Sequence, residues 1–176
     1  MGFTLAEIDK VLLPYAKKTY DNAFKKYFEQ CNMGYDESCA MAMGDLRREL
    51  EQGFQSLELK LNTVPCSRGD FAFTTLTFGT WDIMMDDLDR DIMKLIGETI
   101  LKTRMKGHGG KQVVFPKLVF LYDENKIRND EDHKELFDLA VECSSKCMYP
   151  DYLSLNHGKV GEIYHRTGAI TSPMGR

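Results

Sequence analysis

The sequence has no apolar run approaching the ~20 residues that cross a bilayer. Its first residues, MGFTLAEIDK, carry acids where an export signal needs a basic region and then an apolar one. Both absences argue against a spanning helix or a secretory leader, and they point to a cytoplasmic protein. Ala6 stands where a myristoylation signal needs a small hydroxyl residue, so Gly2 is not read as a lipid anchor. Positive charge is not in excess: 23 Lys and Arg face 27 Asp and Glu, for a formal net charge of -4. No overall field would gather a nucleic-acid backbone, and neither DNA nor membrane binding is expected. Cysteine is sparse and scattered, at Cys31, Cys39, Cys66, Cys143 and Cys147, which excludes a secreted disulfide scaffold and reads as reduced thiols. Neither a zinc-ligand pairing nor a CxxC motif is present, so no metal is expected. Internal repeats and low-complexity tracts are also missing.

What is present suits one globular domain with a sizeable core: 176 residues, 43% hydrophobic and 28% charged. Thr4 followed by Glu7 has the spacing of a capping box and predicts a helix start at Thr4. Pro14 then either kinks that helix or opens a second one. Tyr20, Phe24 and Tyr27 or Phe28 share a face beyond it. From Cys39 through Met43, Leu46, Leu50, Phe54 and Leu57 to Leu61, apolar residues recur every three or four positions. That stripe predicts a helix over roughly residues 36–61, long enough for a bundle or a subunit interface. Gly44 and Gly53 either weaken it or allow close packing.

FAFTTLTFG reads as a strand. A helix follows, with Asp86, Asp87 and Asp89 near its start, Lys102, Arg104 and Lys106 near its end, and Gly107 offering a left-handed cap. KQVVFPKLVFLY reads as a central strand covered on both faces, with Pro116 marking a bulge or an entrance. A last helix places Leu136, Leu139 or Ala140, Cys143 and Cys147 on one face and stops before Pro150. Helix, strand, helix, strand, helix is α/β order with neighbouring parallel strands.

Few residues stand out chemically. Cys143 and Cys147, at i,i+4 on an apolar face, read as buried thiols rather than a redox or metal pair. His108 in KGHGGK lies either in an ordinary helix-to-strand turn or beside a substrate, where glycine amides and Lys106 and Lys111 would attract an anion. The full phosphate-loop pattern is absent. Arg68 in CSRGDF either binds phosphate, with Ser67 donating a hydroxyl bond, or pairs with an acid such as Asp70. Lys117 points toward a cleft or sits at the rim of its strand. Asp151, after YP, reads as a turn or cap residue in preference to a general acid. Unaided, these residues reach an α/β module with a long association-prone helix, and no reaction.

The ordered segments NTVPCSRGDFAFTTLTFG, ETILKTRMKGHGGKQVVFPKLVFLYDE, FDLAVECSSKCMYPD and TGAITSPMG together resemble the catalytic chain of the anaerobic, glycyl-radical ribonucleoside-triphosphate reductases. VLLPYAKKTYDNAF and MGDLRRELEQGFQSLELKLNT resemble the helical part that precedes those motifs. The resemblance implies a helical section over 1–62 and, over 63–176, part of a ten-stranded α/β barrel. It also implies reduction of ribonucleoside triphosphates to deoxyribonucleoside triphosphates, with formate as usual reductant and nucleotides as effectors. A radical-SAM activase creates the glycyl radical; the radical passes to a cysteine, whose thiyl form takes the substrate's 3′ hydrogen.

By the same resemblance Ser67, Arg68, His108, Lys117 and Asp151 are substrate-cleft candidates, and no residue is assigned a catalytic role. Thr171, Pro173, Met174 and Gly175 match the approach to the radical cysteine in the motif TPMGCRS, with Ser172 extra or shifted. Arg176 stands at the cysteine position, or at the arginine after it if one residue is deleted. Cys147 replaces a common arginine, and no glycyl-radical segment or nucleotide-binding cone is evident. The expectation is therefore a fragment or subunit, inactive alone and needing no cofactor by itself. Its partners would be a complementary reductase polypeptide or a second copy. Two alternatives are a noncatalytic nucleotide-binding or reductase-assembly module and an α/β enzyme that uses its thiols directly.

Overall fold

The computed structural model describes residues 2–65 and 69–170. Four parallel strands stand side by side in chain order: β1 (Gly2–Leu5), β2 (Phe73–Phe78), β3 (Lys117–Tyr122) and β4 (Asp151–Ser154). Gly2 pairs with Phe73, Thr75 with Lys117, and Val119 with Asp151. Between them run α1 (Ile8–Lys25), α2 (Tyr35–Thr63), α3 (Asp87–Lys106), α4 (Glu124–Asn129) and α5 (Glu131–Cys147); α6 (Gly158–Thr167) follows β4. The mixed α/β class and the parallel pairing agree with the sequence. Because each strand pairs with the next in the chain, right-handed crossovers bring the connecting helices to one face of the sheet. Leu76 and Phe78 of β2 and Leu118 and Phe120 of β3 accordingly share one apolar core with α1, α2, α3 and α5. The alternate residues Thr75, Thr77, Val119 and Leu121 are buried as well.

Several expectations need correction. Thr4 lies in β1, opposite Thr75, and caps no helix. The helix begins at Ile8; Glu7, at φ 48°, precedes it and donates its backbone N–H to Thr77 Oγ1 at 2.7 Å. A cross-strand hydroxyl thus takes the place of the capping box. Pro14 lies inside the single helix α1 and opens no second one. The run before Pro116 is not strand: β3 starts at Lys117, with Pro116 buried at its entrance and Val114 exposed. Two strands escaped the sequence reading, β1 and β4. Each has four residues, too few to establish a period.

The long helix is present, 29 residues from Tyr35 to Thr63. Its most buried residues are Ser38, Ala42, Leu46, Phe54 and the carboxylate Glu58; Leu46 and Phe54 belong to the expected stripe, whose Met43, Leu50 and Leu57 pack half-buried against the same core. A Cβ added at Gly44 or Gly53 meets nothing within 4 Å, so neither glycine serves close packing. Tyr20, Phe24 and Phe28 stack in succession, while Tyr27 turns away to donate its hydroxyl to Asp45. In α3, Arg104 is wholly buried and does not act as a surface partner of the helix dipole. Gly107 ends that helix at φ 60°, ψ −167°, outside the left-handed helical region; glycine is required there because a Cβ would lie 2.3 Å from the Lys111 carbonyl oxygen. The α5 face of Leu136, Ala140, Cys143 and Cys147 is buried as expected, with Ala140 taken rather than Leu139.

Candidate functional site

Two strands enter the sheet through the same local pattern, an aromatic residue, a proline and a charged residue: Phe115-Pro116-Lys117 and Tyr149-Pro150-Asp151. Proline has no N–H, so it cannot be tied into a strand ladder by donation. Side chains supply the ties instead. Asn62, in the last turn of α2, holds Phe115 by both backbone groups: its Nδ2 donates to the carbonyl at 2.6 Å, and the Phe115 N–H donates to its Oδ1 at 3.2 Å. Arg104 Nη2 donates to the Pro116 carbonyl at 2.5 Å, and Arg104 Nε donates to Glu58 Oε1 at 2.8 Å. The guanidinium carbon also lies 5.6 Å from the ring centroid of Tyr149. One buried arginine therefore touches both entrances.

The charged residues that follow the prolines meet. Lys117 Nζ lies 2.9 Å from Asp151 Oδ2 across β3 and β4, and that bond raises the lysine pKa from its ordinary value. Asp151 is thus the first residue of a strand, engaged by a lysine, and not the turn or cap residue expected. His108 sits apart from that contact, in a turn closed by mutual backbone bonds with Lys111; its Nε2 is 3.8 Å from Glu58 Oε2. Of the sequence-selected residues, the structure joins Lys117 to Asp151 and links His108 to their supporting network through Glu58. Ser67 and Arg68 lie outside the described residues, as do Cys66 and Thr171 to Arg176, including Pro173, Met174 and Gly175.

Sequence reasoning missed Glu58 and Asn62, and read Arg104 only as a charge near a helix end. A signal existed: Glu58 falls four residues after Phe54, and Arg104 four after Ile100, each continuing a buried apolar line with a charge. Two opposite charges on the inner faces of consecutive helices mark a buried pair. Breaking such a pair leaves the other charge unbalanced inside, a loss of about 3–5 kcal/mol.

The opposite, carboxyl ends of the strands hold a second polar group. Asp9 accepts from the N–H groups of Gly79 at 2.8 Å and Lys10 at 3.0 Å, yet burial raises its pKa to about 6. Lys126 donates to Thr80 Oγ1 at 2.9 Å and the Trp81 carbonyl at 2.6 Å, and burial lowers its pKa. His133 stacks on Trp81 with centroids 3.9 Å apart. Its Nδ1 contacts Asp130 at 2.5 Å, while Nε2 faces the Trp81 N–H at 3.4 Å. Both contacts require the Nδ1–H tautomer, and burial lowers the imidazole pKa, which favours that neutral form. Asp123 and Asn156 tie the ends of β3 and β4: Asn156 donates to Asp123 at 3.1 Å and accepts from the Glu124 N–H at 2.6 Å.

Direct thiol chemistry gains no support from Cys143 and Cys147. Both are buried and donate to carbonyls, Cys143 to Leu101 and Cys147 to Arg104, and burial pushes the Cys143 thiol up to about 12. Among the described residues no cluster of three or more His, Cys, Asp or Glu could hold a metal ion, and no helix is long and apolar enough to cross a membrane.

The family profile described as anaerobic ribonucleoside-triphosphate reductase matches residues 2–175. Curated relatives of that name include those of Enterobacteria phage T4, 34% identical over 178 residues, and Haemophilus influenzae, 36% identical over 180 residues. The Escherichia coli protein of the same name is 35% identical over 184 residues. Each match takes in 99% of this chain, but 27% of the phage protein and 23% of each bacterial one. The chain spans about a quarter of the length of these relatives.

Proposed function

The chain belongs to the anaerobic ribonucleoside-triphosphate reductase family, and from that premise we propose that its residues form one segment of a reductase that makes deoxyribonucleoside triphosphates from ribonucleoside triphosphates. The observation that carries the reading is the family match over residues 2–175. A parallel sheet in chain order supports it, since successive βα units are the way an α/β barrel wall is built. In this reading the four strands are part of the ten-stranded barrel, and further strands come from the rest of the reductase. Lys117, Asp151 and His108, with Ser67 and Arg68, face the substrate cleft; Pro173 to Arg176 lead toward the radical loop.

The chemistry of hydrogen abstraction is supplied by a glycyl radical and a cysteine provided by the whole reductase, activated by a radical-SAM partner. What this segment contributes is a rigid wall. Lys117 offers a cation to a polyphosphate, and Asp151 holds that cation in one direction until substrate competes for it. The purified 176-residue chain is expected to form no deoxynucleotide under anaerobic conditions with activase, formate and ribonucleoside triphosphate. Adding a polypeptide that carries the remaining reductase sequence should restore product. Turnover by the chain alone would overturn the requirement for the rest. Failure of every such mixture, with both parts folded and associated, would favour the second reading, a noncatalytic nucleotide-binding or assembly module. That alternative draws on an apolar cleft of about 350 Å³ between α1 and α2, lined by Leu12, Tyr15, Leu50 and Leu57 among others.

A further inference from the structure

We propose that Glu58, Asn62 and Arg104 are positioning residues for the Lys117–Asp151 pair, through which the long helix α2 sets the geometry of both strand entrances. The proposal rests on the reading of Lys117 and Asp151 as cleft residues, and it adds what holds them there. Glu58 and Asn62 are one helical turn apart on α2, so they move as one body. Asn62 grips Phe115 at two points, which fixes the plane of the peptide as well as its distance. Glu58 orients Arg104, and Arg104 reaches the Pro116 carbonyl, one residue before Lys117. The same guanidinium lies over Tyr149, two residues before Asp151. Every path from α2 to the ion pair is therefore one or two residues long beyond the network.

The placement explains two features that burial alone does not. A carboxylate and a guanidinium inside an apolar layer are often no more stabilising than hydrocarbon of the same shape. Their directionality is what hydrocarbon lacks: two different acceptors, Glu58 Oε1 and the Pro116 carbonyl, are reached from two nitrogens of one planar group. Lys117, by contrast, is about one third exposed, and Asp151 about half, so the pair they form is within reach of solvent and of a ligand. A buried, geometrically strict network thus supports an accessible, charged contact.

The test uses the side-chain ammonium resonance of Lys117 in the 176-residue chain, assigned through its loss in Lys117→Arg. A paired ammonium exchanges its protons slowly enough to give a sharp nitrogen-correlated signal. Asn62→Ala and Arg104→Lys should each speed that exchange and broaden or abolish the signal. Leu136→Ala, which loosens the α3–α5 packing instead, should lower the melting temperature and leave the signal in place. An unchanged Lys117 signal in folded Asn62→Ala overturns the proposal; so does its loss in Leu136→Ala, which would reduce the network to general stability. Should Arg104→Lys not fold, Asn62→Ala decides, since Asn62 is only partly buried. Ribonucleoside triphosphate added to the unsubstituted chain examines the cleft reading separately. A Lys117 shift supports that reading, and no shift removes it while the effect of Asn62→Ala still decides on positioning.

Discussion

Asp9 is the residue whose surroundings conflict most with its charge. It is 1% exposed, and its two backbone donors do not offset the loss of water, so its pKa rises from 3.8 to about 6. The folded chain then binds a proton at Asp9 more tightly than the unfolded one. The sign follows: as pH falls from above 6 to below 3.8, this group adds stability, and the gain disappears as pH rises through about 6. At about 1.4 kcal/mol per pKa unit the full swing is about 3 kcal/mol. Asp9→Asn, with an amide that can still accept from Gly79, should be the more stable form at pH 7, and its advantage should shrink by about that amount by pH 3.5. Urea denaturation of both proteins across that range measures the difference. An advantage that stays constant with pH would refute the assignment. His133 works in the opposite direction: its lowered pKa makes the neutral ring the native form, so protonation below its ordinary pKa of 6.5 weakens the fold. Comparing each variant with its own parent separates the two.

Helices in this chain were easier to read than strands, and the reason lies in their length. The α2 helix runs for 29 residues, so its apolar pattern repeats often enough to show the helix even though Ser38, Ala42 and Glu58 extend its buried side. β1 and β4 offer four residues each, and Thr4 and Glu7 imitate a capping box although the Thr4 backbone is paired into a sheet. Lys117 and Asp151 could be named from sequence, but their contact could not, because it depends on the register of β3 against β4. The supporting Glu58–Arg104 pair was legible only as two charges interrupting apolar faces. Two glycines show how far element identity leaves packing open. Gly44 is an exposed helix-interior residue with space around it, so Gly44→Ala should stabilise by up to about 1 kcal/mol. Gly97, in α3, would bring a Cβ within 2.8 Å of Leu136 Cδ2 on α5. Gly97→Ala should therefore lower stability, its clash of about 1–3 kcal/mol exceeding the propensity gain. Equal shifts in denaturation midpoint for both variants would contradict this account of the α3–α5 contact.

At the scale of the whole molecule, β1 and β4 are the outermost described strands, each with one side unpaired among the described residues. Phe3 and Leu5, alternate residues of β1, are 45% and 37% exposed, so that margin is apolar as well as open. Open, apolar strand margins recruit other strands. Among the described residues nothing pairs with the outer side of β1. Phe3→Lys should therefore reduce self-association of the isolated chain in sedimentation velocity at fixed concentration. Indistinguishable profiles for the two proteins would show that the margin is not what the chain associates through.

The chain-order arrangement of the sheet also bears on how the molecule comes together. Pairing Val119 with Asp151 closes a loop less than half as long as the one closed when Gly2 meets Phe73. Each doubling of loop length adds only about 0.6 kcal/mol of closure entropy, so the equilibrium scarcely registers the difference. Kinetics does, because contacts close in sequence form sooner. On loop length alone, β3 with β4 is expected to pair before β1 with β2.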